Sequence, residues 1–475
     1  MEKAVTHTTE RSQLSAASWI LLVVSVACFT VLAISVPHLT SAEGWFVGVR
    51  AGEKFLYVAL IAYLGASVLY GSSVILRQAE LFAGAVLLSR GGLVLHTMAI
   101  LTRWSSSGHA PLSDIYEMVL VFSWAVVALN ALAEWRLNLT FLGAITIPIA
   151  ALALVLMQVL PGEIRPLVPA LQSTWLQIHV TLAMLSYAGF TISFAVALLY
   201  LVKDGVTPRN FLSWCLSLVV GVYGTIVATC VTGDLSLSMA AWDPIARERV
   251  MIAPHKALMV PLETLGWPFV LALVLAAATL LLNLLATFSD RPERWDKIVR
   301  RAFLAALTAQ SLSLLLLVAK VNAGPNYVAE YAQTFEVRLA ESPFLLAGVA
   351  TALFASIAWG VLDWKYDSIV SHLPSRESLD SLIYKAVAIS FPLLTFMIIA
   401  GAYWANRTWG AYWSWDPKED WALITWLTYA GYLHMRLTRG WRGRRSAYFA
   451  IIGFGIVMFT FFGVTYLLPG LHAYA

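Results

Sequence analysis

A chain of 475 residues in which 60% are hydrophobic and only 12% are charged does not fold as a soluble globular domain, where about 25% of residues carry charge. Composition makes it an integral membrane protein, and its net charge of +4 reflects membrane-anchoring cations rather than a nucleic-acid surface. The three cysteines, Cys28, Cys215 and Cys230, lie inside apolar runs with no C-x-x-C spacing. That excludes a thiol-redox pair, a zinc knuckle and a cysteine anchor for a covalent cofactor on this chain.

Apolar runs of about 20 residues, enough for a helix to cross the hydrocarbon core, recur throughout. In chain order they cover 17–36, 53–75, 80–102, 115–135, 139–160, 173–202, 211–232, 264–288, 300–321, 343–363, 382–403, 421–437 and 446–469. They lack the alternation of barrel strands, and backbone in lipid must satisfy its own hydrogen bonds. The predicted fold is therefore all-α, a polytopic membrane bundle of about 13 transmembrane helices. The first run follows Lys3 and Arg11 and precedes Thr40-Ser41-Ala42, as a signal peptide would. Its length of about 20 residues exceeds the usual h-region and favours a retained helix.

With the N-terminus inside, most Lys and Arg fall on inner segments. Arg291, Arg294, Lys297, Arg300 and Arg301 share one inner loop, and Arg436, Arg439, Arg442, Arg444 and Arg445 another. The positive-inside rule then places the C-terminus and the 409–421 loop outside. Four zones separate along the chain: an N-terminal extension (1–52), a five-helix core (53–202), a four-helix region (203–380) and a C-terminal region (381–475). The outer loop 233–263 is too short for a core of its own. Its Asp243, Arg247, Glu248, Arg249 and His255 read as a solvated surface.

The most informative stretch is Trp409-Gly-Ala-Tyr-Trp413-Ser-Trp415-Asp416-Pro417-Lys418-Glu419-Asp420-Trp421, with four Trp and a Tyr between two apolar runs. Trp suits both a membrane interface and the face of a flat ligand. An interfacial belt needs only one or two Trp per helix end, so this density points to a ligand platform. Asp416 before Pro417 is also a helix-start signal, which predicts an N-cap for a helix beginning near 417. The topology places His38, His109, His179, His255 and His472 at the outer side. His96 and His434 fall within apolar spans. A lone membrane histidine is most simply an imidazole hydrogen-bonded to a neighbouring helix, the role assigned to His96.

Four strings raise other histidines above that reading. Residues 103–124 carry R-W-S-S-S-G-H-A-P-L-S-D-I-Y-E, and 170–187 carry A-L-Q-S-T-W-L-Q-I-H-V. Residues 401–443 carry the Trp-rich loop and L-I-T-W-L-T-Y-A-G-Y-L-H-M-R, and the chain closes with F-G-V-T-Y-L-L-P-G-L-H-A-Y. In this order they resemble the CcsA/ResC family of System II cytochrome c synthetases, whose tryptophan-rich signature is the WWD domain. The strings cover 53–202 and 381–475, about half the chain. The resemblance lapses over 1–52 and 203–380, which reads as a four-helix insert.

The resemblance implies that His179 and His472 are a pair of outer axial ligands to heme b, held non-covalently, and that His434 is a membrane-embedded ligand. Trp409, Trp413, Trp415, Asp416 and Trp421 are then the residues of the heme platform. His434 lies 13 residues past Trp421, about 20 Å deeper on a helix, so it implies a second heme site. The resemblance further implies heme transport to the outer (periplasmic) side of a bacterial cytoplasmic membrane, or less readily a thylakoid membrane. There thioethers form with an apocytochrome c C-x-x-C-H, in partnership with a CcsB/ResB-like membrane subunit. No acid, base or nucleophile of this chain is required, so no catalytic residue is assigned. Two other readings stand beside this one. One is a heme transporter or chaperone without ligation chemistry. The other is an unrelated solute carrier whose Trp cluster cages a cation.

Overall fold

The computed structural model describes residues 49–468 and Gly470 apart from 77, 138, 140, 158–159, 161–163, 165, 233–235, 238, 244–247, 252–257, 260–265, 290–292, 323–335 and 340–342. The expected first span, 17–36, lies outside the described residues, as do His7, Cys28, His38, His255 and His472.

Helices form on each of the other twelve apolar runs. They are α1 (Val49–Leu76), α2 (Ala79–Ser107), α3 (Ile115–Leu137), α4 (Gly143–Met157), α5 (Thr174–Lys203) and α6 (Pro208–Thr232). There follow α7 (Trp267–Thr287), α8 (Glu293–Asn322), α9 (Pro343–His372), α10 (Arg376–Trp409), α11 (Pro417–Thr438) and α12 (Arg444–Met458). The last continues through a π turn (Phe459–Gly463) into α13 (Val464–Leu467). The chain is a polytopic helical membrane protein. Against the expectation of about 13 spanning helices, nine helices among the described residues have the length and apolarity to cross a membrane. Helix α4 is short and carries Pro148. Helix α11 begins with Lys418, Glu419 and Asp420 and ends with His434 and Arg436, so its polar ends dilute its apolar middle.

The 233–263 loop is not wholly irregular. Within it β1 (Ser236–Leu237) pairs antiparallel with β4 (Leu258–Met259). A second sheet, ordered β3-β2-β5, joins β3 (Glu248–Met251) and β2 (Met239–Asp243) to β5 (Glu336–Leu339) of the loop before α9. Two loops at the same end of neighbouring helix pairs can pair edges that neither loop could satisfy alone.

The seam that positions the site runs between α5 and α10. A Cβ on Gly189 would collide with Ser390 Oγ, so glycine lets these helices touch closely. Ser186 Oγ donates across the seam to the Ser390 carbonyl (3.1 Å). Small residues and hydroxyls serve this way in membrane bundles, where lipid offers no hydrophobic drive between helices. Beside it Phe190 stacks on Tyr429 of α11, with centroids 3.6 Å apart and planes 9° off parallel.

One end of the bundle is tied by ion pairs. Asp204 meets Arg376 (3.2 Å) and Arg444 (2.7 Å). Asp380 takes a bidentate Arg436 (2.9 and 2.7 Å) and the Gly443 N–H (2.8 Å). The opposite end, where α5 begins and α10 ends, opens into a cleft.

Candidate functional site

Four elements distant in sequence build the cleft. Its walls include Leu112 and Ser113 from the loop before α3, and His179, Met184 and Tyr187 from α5. Gly401, Trp404, Tyr412, Trp413 and Lys418 come from α10 and the loop into α11, and Thr460 and Phe461 from the π turn. It encloses about 1080 Å³, part of it open to solvent.

The first element is anchored by a buried ion pair. Arg103 Nε donates to Glu117 Oε1 at 2.7 Å, and both side chains are nearly inaccessible. The other Glu117 oxygen accepts from Ser113 N (2.9 Å) and Ser113 Oγ (2.6 Å). The Arg103 guanidinium also rests over the Tyr116 ring (4.6 Å). A buried carboxylate needs such a full set of donors, and meeting that need folds residues 108–114 over the cleft. Burial, with Glu117 as neighbour, raises the Asp114 carboxyl to about 6. His109 Nδ1 lies 3.1 Å from the Ala110 carbonyl, a local turn contact.

His179, in the second turn of α5, is oriented by α10. Its Nδ1 lies 2.8 Å from the Met397 carbonyl. A carbonyl only accepts, so Nδ1 carries the proton and Nε2 carries the lone pair. Gly401 lies under the ring: a Cβ there would sit 2.6 Å from Nδ1. Trp404 stacks near-parallel to the imidazole (6.4 Å, 20°) and donates its indole N–H to the Ala170 carbonyl (2.9 Å). An imidazole fixed through one nitrogen to a backbone carbonyl is how proteins prepare a metal-binding histidine.

The Trp-rich loop divides its residues among different tasks. Trp413 lines the cleft and meets Trp415 edge-to-face (6.1 Å, 85°). Trp409 packs behind Trp404 (4.8 Å), and Trp421 packs on Phe459 (4.3 Å). Trp415 is 72% exposed and is the one non-glycine with positive φ (57°) among the described residues. That conformation disfavours a bulky side chain. Glu419 holds it by accepting from Ser414 N (2.7 Å) and Asp416 N (3.3 Å) on either side. Asp416 caps α11 by accepting from Lys418 N (3.1 Å) and completes a capping box with Glu419. The expected helix start at 417 is met, and D-P-K-E is thereby a structural clasp. Burial lowers the half-buried Lys418 ammonium to about 8, with Asp416 opposing.

Of the two remaining sequence-predicted histidines, His472 lies outside the described residues. Gly470, two positions earlier, sits so close to the Asp416 carboxylate that a Cβ there would overlap it, so Gly470 lies against the start of α11. His434 is exposed near the far end of α11, and its ring has no hydrogen-bond partner among the described residues. The buried His96 accepts its expected role, with Tyr63 Oη 3.3 Å from its Nδ1.

Three of the four strings named in the sequence thus line one cleft, and Gly470 of the fourth packs against Asp416 of the third. The sequence model of the cytochrome C assembly protein family matches residues 112–273 and 267–472. The chain belongs to this family. The cytochrome c biogenesis protein CcsA of Synechococcus sp. (strain JA-3-3Ab) is 32% identical over 422 residues, covering 88% of this chain and 93% of that protein. The CcsA proteins of Microcystis aeruginosa and Trichormus variabilis are each 31% identical, over 78% and 82% of this chain and 81% and 88% of their own lengths. As a CcsA-family member the chain functions in cytochrome c biogenesis.

The family match runs through 203–380, so the resemblance is wider than the half of the chain that the four strings covered. The helices α6–α9 are apolar and carry no distinctive motif, which leaves nothing for a short string to catch. Trp404, Gly401, Met397 and the Arg103–Glu117 pair were not singled out in the sequence. For Trp404 the signal was available: Gly401-Ala-Tyr-Trp404 stands in the same family string as the Trp loop.

Proposed function

We propose that this protein is the heme-handling component of a cytochrome c synthetase, moving heme across the membrane and presenting it in the cleft for thioether attachment to apocytochrome c. The observation that carries the reading is the convergence of three separate family strings on one aromatic cleft around an oriented imidazole. The residues present suit a heme. Trp413, Trp404, Tyr187 and Phe461 offer apolar walls for a flat macrocycle, and His179 Nε2 offers a lone pair to iron.

Heme b is here the cargo, held without covalent bonds. His179 and His472 supply the axial nitrogens, and Trp409, Trp415, Asp416 and Trp421 shape and brace the platform. The four zones 1–52, 53–202, 203–380 and 381–475 then divide into an N-terminal helix, a core bearing His179, a four-helix scaffold and the region bearing the Trp loop. At the cleft the client presents C-x-x-C-H. Each cysteine S–H adds across one vinyl C=C, forming a C–S bond while the proton goes to the other vinyl carbon. The chain contributes orientation, exclusion of side reactions and an iron kept ligated until the client's histidine replaces one of its own. His434 holds a second heme at the inner end. Its exposed ring favours a second ligand supplied from outside this chain, by a CcsB/ResB-like subunit. The cleft faces the periplasm of a bacterial cytoplasmic membrane, because the Arg-rich loops lie at the other end.

Co-expression with a C-x-x-C-H reporter, with and without such a subunit, tests the reading. Heme that stays on the denatured reporter supports the synthetase. A reporter that acquires only extractable heme supports a heme chaperone instead.

Two predictions concern the cleft wall. Trp413→Ala should lower heme retained per protein roughly fivefold at normal membrane abundance, whereas the exposed Trp415 should tolerate alanine within about twofold. If both variants keep their heme but fail to accumulate in the membrane, the loop is an interfacial anchor.

Lys418 is the cation on the cleft wall placed to meet a heme propionate. An anion bound there favours the charged lysine and raises its pKa. Heme affinity should therefore be full below pH about 8 and decline as pH rises through that value. Lys418→Met should weaken heme retention on the order of tenfold below pH 8 and flatten the profile above it. Heme dissociation rates measured from pH 6.5 to about 9.5 decide the matter. An unchanged slope in Lys418→Met removes this residue from propionate binding. Unliganded stability has the opposite slope: the depressed ammonium costs stability below about 8, and the cost fades as pH rises towards its ordinary value.

A further inference from the structure

The helix that begins at Arg444 does not remain α-helical to its end. From Phe459 to Gly463 it widens into a π turn, closed by the Val464 N–H on the Phe459 carbonyl, before the α-helix resumes. A π turn holds one residue more than an α-helix needs, which rotates everything beyond it by about 100°. No proline lies in or beside this turn to force it.

The extra residue falls at the cleft. Thr460 and Phe461, adjacent in sequence, both line it. Thr460 Oγ1 lies 2.9 Å from Thr425 Oγ1 and 3.2 Å from the Trp421 carbonyl, both on α11, and 2.9 Å from the Ile456 carbonyl behind it. The hydroxyl is buried, so these contacts replace water rather than compete with it. Phe461 sets its edge against Phe122 of α3 (5.5 Å) and meets Tyr187 of α5 (5.9 Å). Beyond the turn the chain reaches Asp416 and Pro417 at the start of α11, where Gly470 fits only because it lacks a side chain. In a regular helix Thr460 and Phe461 would keep their place only if the following turn swung away from α11.

We propose that the π turn is a positioning device for the heme cleft, with Thr460 as its positioning residue: it sets the Thr460–Phe461 edge in the cleft while directing Gly470 onto the N-terminus of α11. This rests on the heme reading above and adds to it an element that touches α3, α5 and α11 together.

The test uses full-length protein purified from membranes. Thr460→Val keeps the shape and removes the hydroxyl, Thr460→Ser restores it, and deletion of Phe462 removes the extra residue. His179→Gly is the reference for a damaged site. Thr460→Val should lose about threefold in heme content and part of its six-coordinate absorption signature, and Thr460→Ser should recover both. The deletion variant should accumulate in the membrane but lose the six-coordinate signature. If that variant does not accumulate, the valine and serine pair decides alone. Wild-type heme content and spectrum in Thr460→Val, beside a clear loss in His179→Gly, overturns the positioning role and leaves the heme site standing. A His179→Gly protein with a wild-type spectrum instead overturns the heme reading on which the inference depends.

Discussion

His179→Gly protein is expected to emerge from the membrane with its cleft heme reduced to a single axial imidazole. Its absorption should shift from a six-coordinate, bis-imidazole pattern to a five-coordinate one, and added imidazole should restore the original by filling the vacated position. The double variant with His472→Gly should lose the cleft heme altogether. The expectation follows from geometry: Nδ1 is committed to the Met397 carbonyl at 2.8 Å, so Nε2 is the nitrogen that would ligate iron in the proposed site. It also makes Gly401 a sharp test. A Cβ at Gly401 would press on the imidazole from 2.6 Å and displace it from that carbonyl. Losing the partner of a ligating histidine costs about 10–100-fold in metal affinity. Gly401→Ala should therefore approach the His179→Gly phenotype although residue 401 offers iron nothing. If Gly401→Ala binds heme normally, the orienting hydrogen bond is dispensable. If the double histidine variant keeps the six-coordinate spectrum, the ligands lie elsewhere.

His434→Ala should separate two heme pools. Located 16 residues beyond Lys418 on one helix, the His434 backbone is about 24 Å from the cleft wall, too far to share its iron. The variant should lose its inner heme and deliver less to the cleft. Covalent heme on a co-expressed C-x-x-C-H reporter should fall by about tenfold or more, while heme supplied from outside still loads the cleft. A structural imidazole predicts otherwise, but the ring is exposed and has no hydrogen-bond partner among the described residues. Wild-type heme stoichiometry and full reporter maturation in His434→Ala would falsify the two-pool route.

The sequence was most legible where local chemistry decides. Asp416 capping a helix that starts at Pro417 needs only a short carboxylate, a proline and Glu419 three residues on, and the structure forms that cap. The membrane helices follow from apolar length, and among the described residues a helix forms on each of the twelve runs after the first, with α4 shorter than most and α11 polar at both ends. The wording of four strings was enough to suggest the family, because each is a dense run of distinctive residue types in the family's order. Over α6–α9 interchangeable apolar side chains leave no such wording.

Composition and spacing alone determined a helical membrane protein with a Trp-rich loop and its helix cap, while the candidate histidines came from the resemblance of four strings to a family. Which tryptophan faces the cleft was decided only by tertiary structure. Trp409, Trp413, Trp415 and Trp421 share one loop and one residue type, yet one lines the cleft, two pack behind it and one is exposed. The roles of Trp404, Gly401 and the Met397 carbonyl were equally hidden, since each acts on His179 across the seam between α5 and α10, more than 200 positions away in the chain. A helix propensity or an apolar run is set by neighbours in sequence, whereas the orientation of one imidazole depends on which distant backbone carbonyl packing brings to it.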